Sequence, residues 1–143
     1  MSEHTFRNPD LFQRLPLRDY LRGPGWPNGS DGFVVEDLDV VVRHFGNGFH
    51  TDAKGRLLLI EQKHPGHWIR TAQERTFGLF DELLRKADPE RVRYLGYYVL
   101  QIAFDENNAP VFPVRVNGKE MDADAFKQWM TGETVLPSYF EKA

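Results

Sequence analysis

The run Arg56-Leu57-Leu58-Leu59-Ile60-Glu61-Gln62-Lys63 passes from four apolar residues to a carboxylate and an ammonium with no turn residue between them. Along a strand, successive side chains alternate in direction, so Leu57, Leu59, Glu61 and Lys63 share one face and Gln62 takes the other. Upstream, Asp39-Val40-Val41-Val42-Arg43 reads as a second strand with Asp39 at its start. Were the two strands antiparallel neighbours, the start of one would lie beside the end of the other, and Asp39 would meet Glu61 and Lys63. Two carboxylates held close repel, and one would take up a proton unless a cation neutralised the pair. The chain has no cysteine, so an oxygen-rich set of this kind favours a hard ion, Mg²⁺ or Mn²⁺, that keeps several waters. A lysine beside it serves as a point cation for a water or a developing phosphate charge. The natural reaction for such a set is metal-assisted phosphodiester hydrolysis. Glu36 and Asp37 are rivals for the role of Asp39, since a bulge would change which acid faces inward.

The element that follows must complete the arrangement. Helical spacing predicts a helix from about Ile69 to Ala87, with Gln73, Phe77, Phe80 and Leu84 on one face and Arg70, Glu74, Asp81, Arg85 and Lys86 elsewhere. An inward Gln73 amide needs hydrogen-bond partners, and Glu61 and Lys63 would supply them. Between strand and helix lies His64-Pro65-Gly66-His67-Trp68-Ile69-Arg70. We expect His64, His67, Trp68 and Arg70 to contact nucleic acid, with Trp68, and Trp26 in an earlier loop, offering rings on which bases stack. Arg70, Arg75, Arg91 and Arg93 could line a phosphate track, or equally a solvated helix face. His64 and His67 could instead hold zinc, although the other three histidines are scattered.

The remaining elements form a scaffold around these. Residues 9–21 have helical spacing divided by Pro16, and Arg22 to Gly32 is a dense Gly/Pro/Asn/Ser loop. Phe33 to Phe45 reads as one bent strand or a tight hairpin, and residues 46–55 as a turn. After Asp88-Pro89 ends the helix, Arg93 to Phe104 is a long central strand and Val111 to Val116 returns beside it. Asn117-Gly118 signals a two-residue turn, and a last helix runs from Asp122, its N-cap, to Gly132. The order predicts an α/β sandwich with a mixed sheet. No G-x-G-x-x-G follows a strand and no P-loop is present, so the nucleotide-binding folds that depend on them are excluded.

At 143 residues, 41% apolar and 13% aromatic, the chain is expected to form a single domain over residues 1–143. A formal net charge of −3 argues against a general basic coat, though not against a local basic groove. No signal peptide or membrane-spanning run is read, so the expectation is a soluble, cytoplasmic protein with no membrane partner.

Asp39, then Glu61-Gln62-Lys63 closing a hydrophobic strand, then a helix carrying Gln73-Glu74-Arg75-Thr76-Phe77 resembles the PD-(D/E)XK nuclease superfamily. The helix is most similar to the Q-x-x-x-Y motif of RecB-like and λ-exonuclease-like members, with Phe77 at the Tyr place. Leu38 stands where the literal motif has Pro. The resemblance covers roughly Asp19 to Phe104. It implies an αβββαβ, restriction-endonuclease-like core, here extended by a C-terminal strand and helix. It further implies a Mg²⁺- or Mn²⁺-dependent deoxyribonuclease in which Asp39, Glu61 and the Gln62 carbonyl hold the metal. Lys63 would orient or activate water, and Gln73 would position Lys63 or the scissile phosphate. DNA stands ahead of RNA as substrate. A second copy or a larger protein would serve as partner, in repair, recombination, phage defence or phage replication. The other class that fits the same residues is a catalytically inactive nuclease-fold protein that binds nucleic acid or a partner nuclease.

Overall fold

A computed structural model of the chain describes residues 16–27, 29–31, 36–44 and 55–141. They fall into two units that divide between Asp37 and Leu38. In the first, a short helix α1 (Pro16–Leu21) precedes a 3₁₀ turn at Gly29–Asp31. Trp26 packs edge-on to Tyr20 at 5.8 Å, and Arg22 pairs with Glu36 at 3.4 Å. Asp19 is exposed on α1.

The second unit is built on one mixed sheet of five strands in the order β1-β2-β3-β4-β5: β1 (Val40–His44), β2 (Arg56–Lys63), β3 (Tyr94–Phe104), β4 (Pro110–Val116) and β5 (Lys119–Met121). Helix α2 (Thr71–Ala87) joins β2 to β3, and α3 (Ala123–Met130) follows β5. The strand pairs are antiparallel except β2 with β3, which run parallel. A parallel neighbour requires a long crossover, and α2 supplies it. The second unit is therefore α+β, with helices on a mixed, open sheet, which is compatible with the expected α/β class only in its coarse form. Of the Phe33 to Phe45 segment, Val40 to His44 forms β1, while the hairpin alternative involves residues 33–35 and lies in part outside the described residues.

The near-continuous apolar composition of β2 and β3 follows from burial on both faces. On one face Leu59, Tyr97 and Val99 pack with Ile69 and with Phe77 of α2. On the other, Leu58, Ile60, Tyr98, Leu100, Val114 and Val116 pack around Trp129 of α3. Local chemistry sets the joints. Asp88 ends α2 and its carboxylate accepts the backbone N–H groups of Val92, Arg93 and Tyr94, aiming the chain into β3. Asn117 and Gly118 both take positive φ, 52° and 83°, as a tight hairpin between β4 and β5 demands. Asp122 caps α3 by accepting from Ala125 N at 2.9 Å.

Two expectations for α2 are corrected. Phe80 does not join the buried face but is 46% exposed, whereas Asp81 is fully buried. The inward row is Gln73, Phe77, Asp81, one residue every four, because α2 lays its i, i+4 ridge on the sheet. The seven-residue step from Gln73 to Phe80 falls on the other margin of that stripe. Asp81 is tolerated inside because Tyr94 Oη donates to it at 2.5 Å, Ser138 Oγ at 3.0 Å and Arg85 Nε at 2.6 Å. Among the described residues, no helix is long and apolar enough to cross a membrane.

Candidate active site

Glu61 and Lys63 stand at the C-terminal end of β2, beside Val99 and Gln101 of the parallel strand β3. Glu61 is only 3% exposed, because it belongs to the same face as Leu59, under the first turn of α2. Lys63, one pleat further, keeps 20% of its side chain in solvent. Their charged atoms are 3.7 Å apart. At that separation the ion pair alone is a weak tether, and a buried carboxylate needs further donors.

Gln73 provides one such donor. Its Nε2 donates to Glu61 Oε2 at 3.0 Å, and its Oε1 accepts from Lys63 Nζ at 3.1 Å. The same Oε1 accepts from the backbone N–H of Arg70 at 3.1 Å. That contact ties the helix start to the bridge, in the manner of a Gln at the third helical position reaching back to the N-cap. The amide thus fixes which way the carboxylate and the ammonium face, and it can do so only from the inward row of α2.

Asp39 reaches the site by a different route from the one expected. The register pairs Val40 with Ile60, which sets Asp39 opposite Glu61 one step beyond the last ladder pair. Its Oδ2 accepts from the backbone N–H of Gln62 at 2.9 Å. The carboxylate therefore occupies the position of a ladder acceptor at the end of β1, and its bond is to the main chain between Glu61 and Lys63. The Gln62 side chain is exposed on the opposite face. Of the rival acids, Glu36 pairs with Arg22 in the first unit.

The loop from His64 to Arg70 borders these groups. His64, His67, Trp68 and Arg70 are all exposed, while Ile69 between them is buried against Phe77. The loop is held at several points. His67 N donates to His64 O at 3.0 Å, Gln101 Nε2 donates to His67 O at 2.7 Å, and Trp68 Nε1 donates to Tyr139 Oη at 3.4 Å. The His64 and His67 rings meet edge to face, centroids 6.4 Å apart. Among the described residues, no group of three or more His, Asp or Glu side chains is placed to hold a metal ion. Arg75 is exposed on α2, whereas Arg91 serves the scaffold by pairing with Glu141 at 3.2 Å and donating to Leu136 O at 3.0 Å.

Tyr139 was not among the residues singled out from the sequence. Its hydroxyl donates to Glu74 Oε2 at 2.7 Å, and its backbone N–H donates to Tyr97 O at 2.7 Å. Burial, reinforced by the bond to the Glu74 carboxylate, raises the Tyr139 hydroxyl above its ordinary pKa and keeps it a donor. No local pattern announces this residue, which lies beyond the last helix and acts through a contact 65 positions away. Comparison of the chain with protein-family models, with curated proteins and with solved structures returned no match.

Proposed function

We propose that the chain is a metal-dependent nuclease hydrolysing phosphodiester bonds in DNA, with a PD-(D/E)XK-like core. The observation that carries this reading is the bridge at Gln73. One buried amide binds Glu61 and Lys63 together at a solvent-accessible strand end, where Asp39 also meets the same strand. A surface ion pair has no need of such a bridge.

The donors fit a hard divalent ion. Asp39, Glu61 and the Gln62 carbonyl offer oxygen only; among the described residues no third acidic or imidazole side chain joins them, so an ion held there would depend on water for most of its ligands. When bound, the ion would neutralise developing phosphate charge and make water more acidic. The chain's own groups have separate tasks. Lys63 Nζ, partly exposed and aimed by Gln73 Oε1, holds the attacking water or a non-bridging phosphate oxygen. Glu61, its orientation fixed by Gln73 Nε2, holds the opposite side. The water oxygen bonds to phosphorus as the ester P–O bond breaks; one water proton passes to solvent and the departing alkoxide takes one from solvent, so the net step consumes one water. Arg70 and the imidazoles of His64 and His67 offer positive or hydrogen-bonding contacts for the strand.

The test is incubation of purified protein with plasmid and linear DNA, with Mg²⁺ or Mn²⁺ and with chelator. Cleavage should require the ion, and Lys63→Ala should lower it by about a hundredfold or more without loss of folding. Equal cleavage by Lys63→Ala would defeat the mechanism. No cleavage of any substrate would favour the inactive binding protein on the same fold.

A further inference from the structure

Trp68 combines two properties that rarely coincide: it is 40% exposed, and it is held in place. Its N–H donates to Tyr139 Oη at 3.4 Å, and the two rings meet edge to face with centroids 5.7 Å apart. Tyr139 is in turn fixed by Glu74 and by the Tyr97 carbonyl. An indole N–H donates within the ring plane, so the hydrogen bond takes up an edge and not a flat face. Gln101, by bonding the His67 carbonyl, fixes the backbone immediately before the ring. Exposed tryptophan held this way costs little further entropy when it binds, because its rotamer is already set. It lies five residues beyond Lys63 and two before Arg70, whose N–H joins the Gln73 bridge.

We infer that Trp68 is a stacking platform for an unpaired nucleobase, with Tyr139 and Glu74 as its positioning residues, so that the strand presented to Lys63 is single-stranded. The inference rests on the nuclease reading for its ligand class and deepens it. An aromatic face captures a base only when the base's own face is uncovered, which a paired and stacked duplex does not offer away from its ends. Glu61, nearly enclosed beneath α2, is likewise reached by a thin strand more easily than by a duplex.

The experiment measures binding, not cleavage. Full-length protein in chelator is titrated against a short fluorescein-labelled oligodeoxynucleotide, and its affinity is compared with a blunt duplex and with the same strand made abasic throughout. Trp68→Ala should weaken binding of the normal single strand by about 5- to 100-fold, the range base stacking supplies. It should leave the abasic strand nearly unaffected, and Trp68→Phe should restore much of the loss. Tyr139→Phe, which removes the hydroxyl from both Trp68 and Glu74, should give a smaller loss of the same selectivity. Thermal melting of each variant checks that folding is retained. Equal single-strand affinity in Trp68→Ala would overturn the platform, as would an equal loss on normal and abasic strands. The two readings fail separately. Trp68-dependent binding with no cleavage under any metal keeps the platform and removes the nuclease. Metal-dependent cleavage with Trp68→Ala binding unchanged does the reverse.

Discussion

Replacing Gln73 by leucine removes the amide while keeping most of the volume, and the cost can be worked from three contacts. Two of the lost hydrogen bonds go to charged groups, Glu61 and Lys63, and one to the Arg70 backbone. Bonds to charged groups are each worth roughly 1.5–3 kcal/mol and a neutral one about 1, so the ceiling is about 4–7 kcal/mol. Two terms lower it. Lys63 remains 3.7 Å from Glu61 and still neutralises it in part, and leucine gains apolar contact where Gln73 was only 6% exposed. The expected loss is about 2–4 kcal/mol, a large part of the 5–15 kcal/mol typical of a domain. Urea unfolding followed by circular dichroism reads it as a lower midpoint with the same slope. Gln73→Glu is the informative companion. At about pH 7 it sets a second carboxylate roughly 3 Å from Glu61 and should be less stable than Gln73→Leu. At about pH 5 the pair can share a proton, and the introduced carboxyl in its acid form can donate to Glu61 and accept from Lys63. The shared proton means a folded pKa raised above the ordinary carboxylate value, so this stability is present at low pH and lost as pH rises through it. A loss below about 0.5 kcal/mol in Gln73→Leu, the size of an ordinary surface change, would refute the bridge. So would a Gln73→Glu deficit that does not shrink as pH falls.

Three further outcomes concern the rest of the second unit. Asp81→Ala leaves Tyr94, Ser138 and Arg85 without their shared acceptor and should cost about 3–5 kcal/mol in urea unfolding, against a surface-sized change for Glu82→Ala. Burial alone would raise the Asp88 carboxyl, but the N–H groups of Tyr94, Arg93 and Val92, with the Arg93 charge, hold it below 3.8. Its stabilising share is therefore present above that value and lost as pH falls through the lower folded value, so Asp88→Asn should flatten the acid limb of the stability curve. Burial pushes Tyr98 up to about 12 and Tyr94 higher, the Asp81 bond adding to the latter, while Arg91 pulls Tyr98 the other way. Stability from Tyr98 is complete below 10.0 and lost as pH rises through about 12, so Tyr94 and Tyr98 should show tyrosinate absorbance only as the fold melts. Reversible titration of either residue in the native protein would contradict the burial described.

Where a local rule decides an element, the chain could be read directly. The apolar run Leu58 to Ile60, the turn pair Asn117-Gly118 and the cap at Asp122 each carry their own cause, and each stands in the structure as expected. The exchange of Phe80 for Asp81 was not legible. Both residues flank the same helical stripe, and the choice was made by Tyr94 and Ser138, 13 and 57 positions from Asp81. At the site, alternation along β2 correctly puts Glu61 and Lys63 on the face that α2 covers. It cannot foresee that Asp39 bonds the Gln62 main chain, because a side chain taking the place of a ladder acceptor lies in the plane of the sheet and outside the two-face rule. Tyr139 left no trace at all, since a segment with neither helical nor strand period is placed by long-range contacts alone.

The inward row of α2 carries two buried polar residues two turns apart, and comparing them explains why chemistry is assigned to only one. Asp81 and Gln73 flank Phe77 on the same ridge, and each joins a basic side chain to groups from distant parts of the chain. Around Asp81 the carboxylate is sealed in, while Arg85 keeps 33% of its side chain in solvent. The acceptor is wholly enclosed, Ser138 also ties Tyr97 to the C-terminal segment, and Gly96 sits so close that an added Cβ would lie 2.8 Å from Ser138 Cβ. Such an arrangement holds a segment in place. Around Gln73 the cation, Lys63, likewise reaches solvent, here at the end of β2. The bordering loop presents two imidazoles and an indole on a braced backbone. A buried polar cluster by itself therefore marks nothing beyond satisfied hydrogen bonds. Both cations reach solvent, Arg85 with 33% and Lys63 with 20% of the side chain exposed; what separates the Gln73 cluster is its place at a strand end, beside Asp39 and the exposed loop from His64 to Arg70, and that place is the ground of the proposed role.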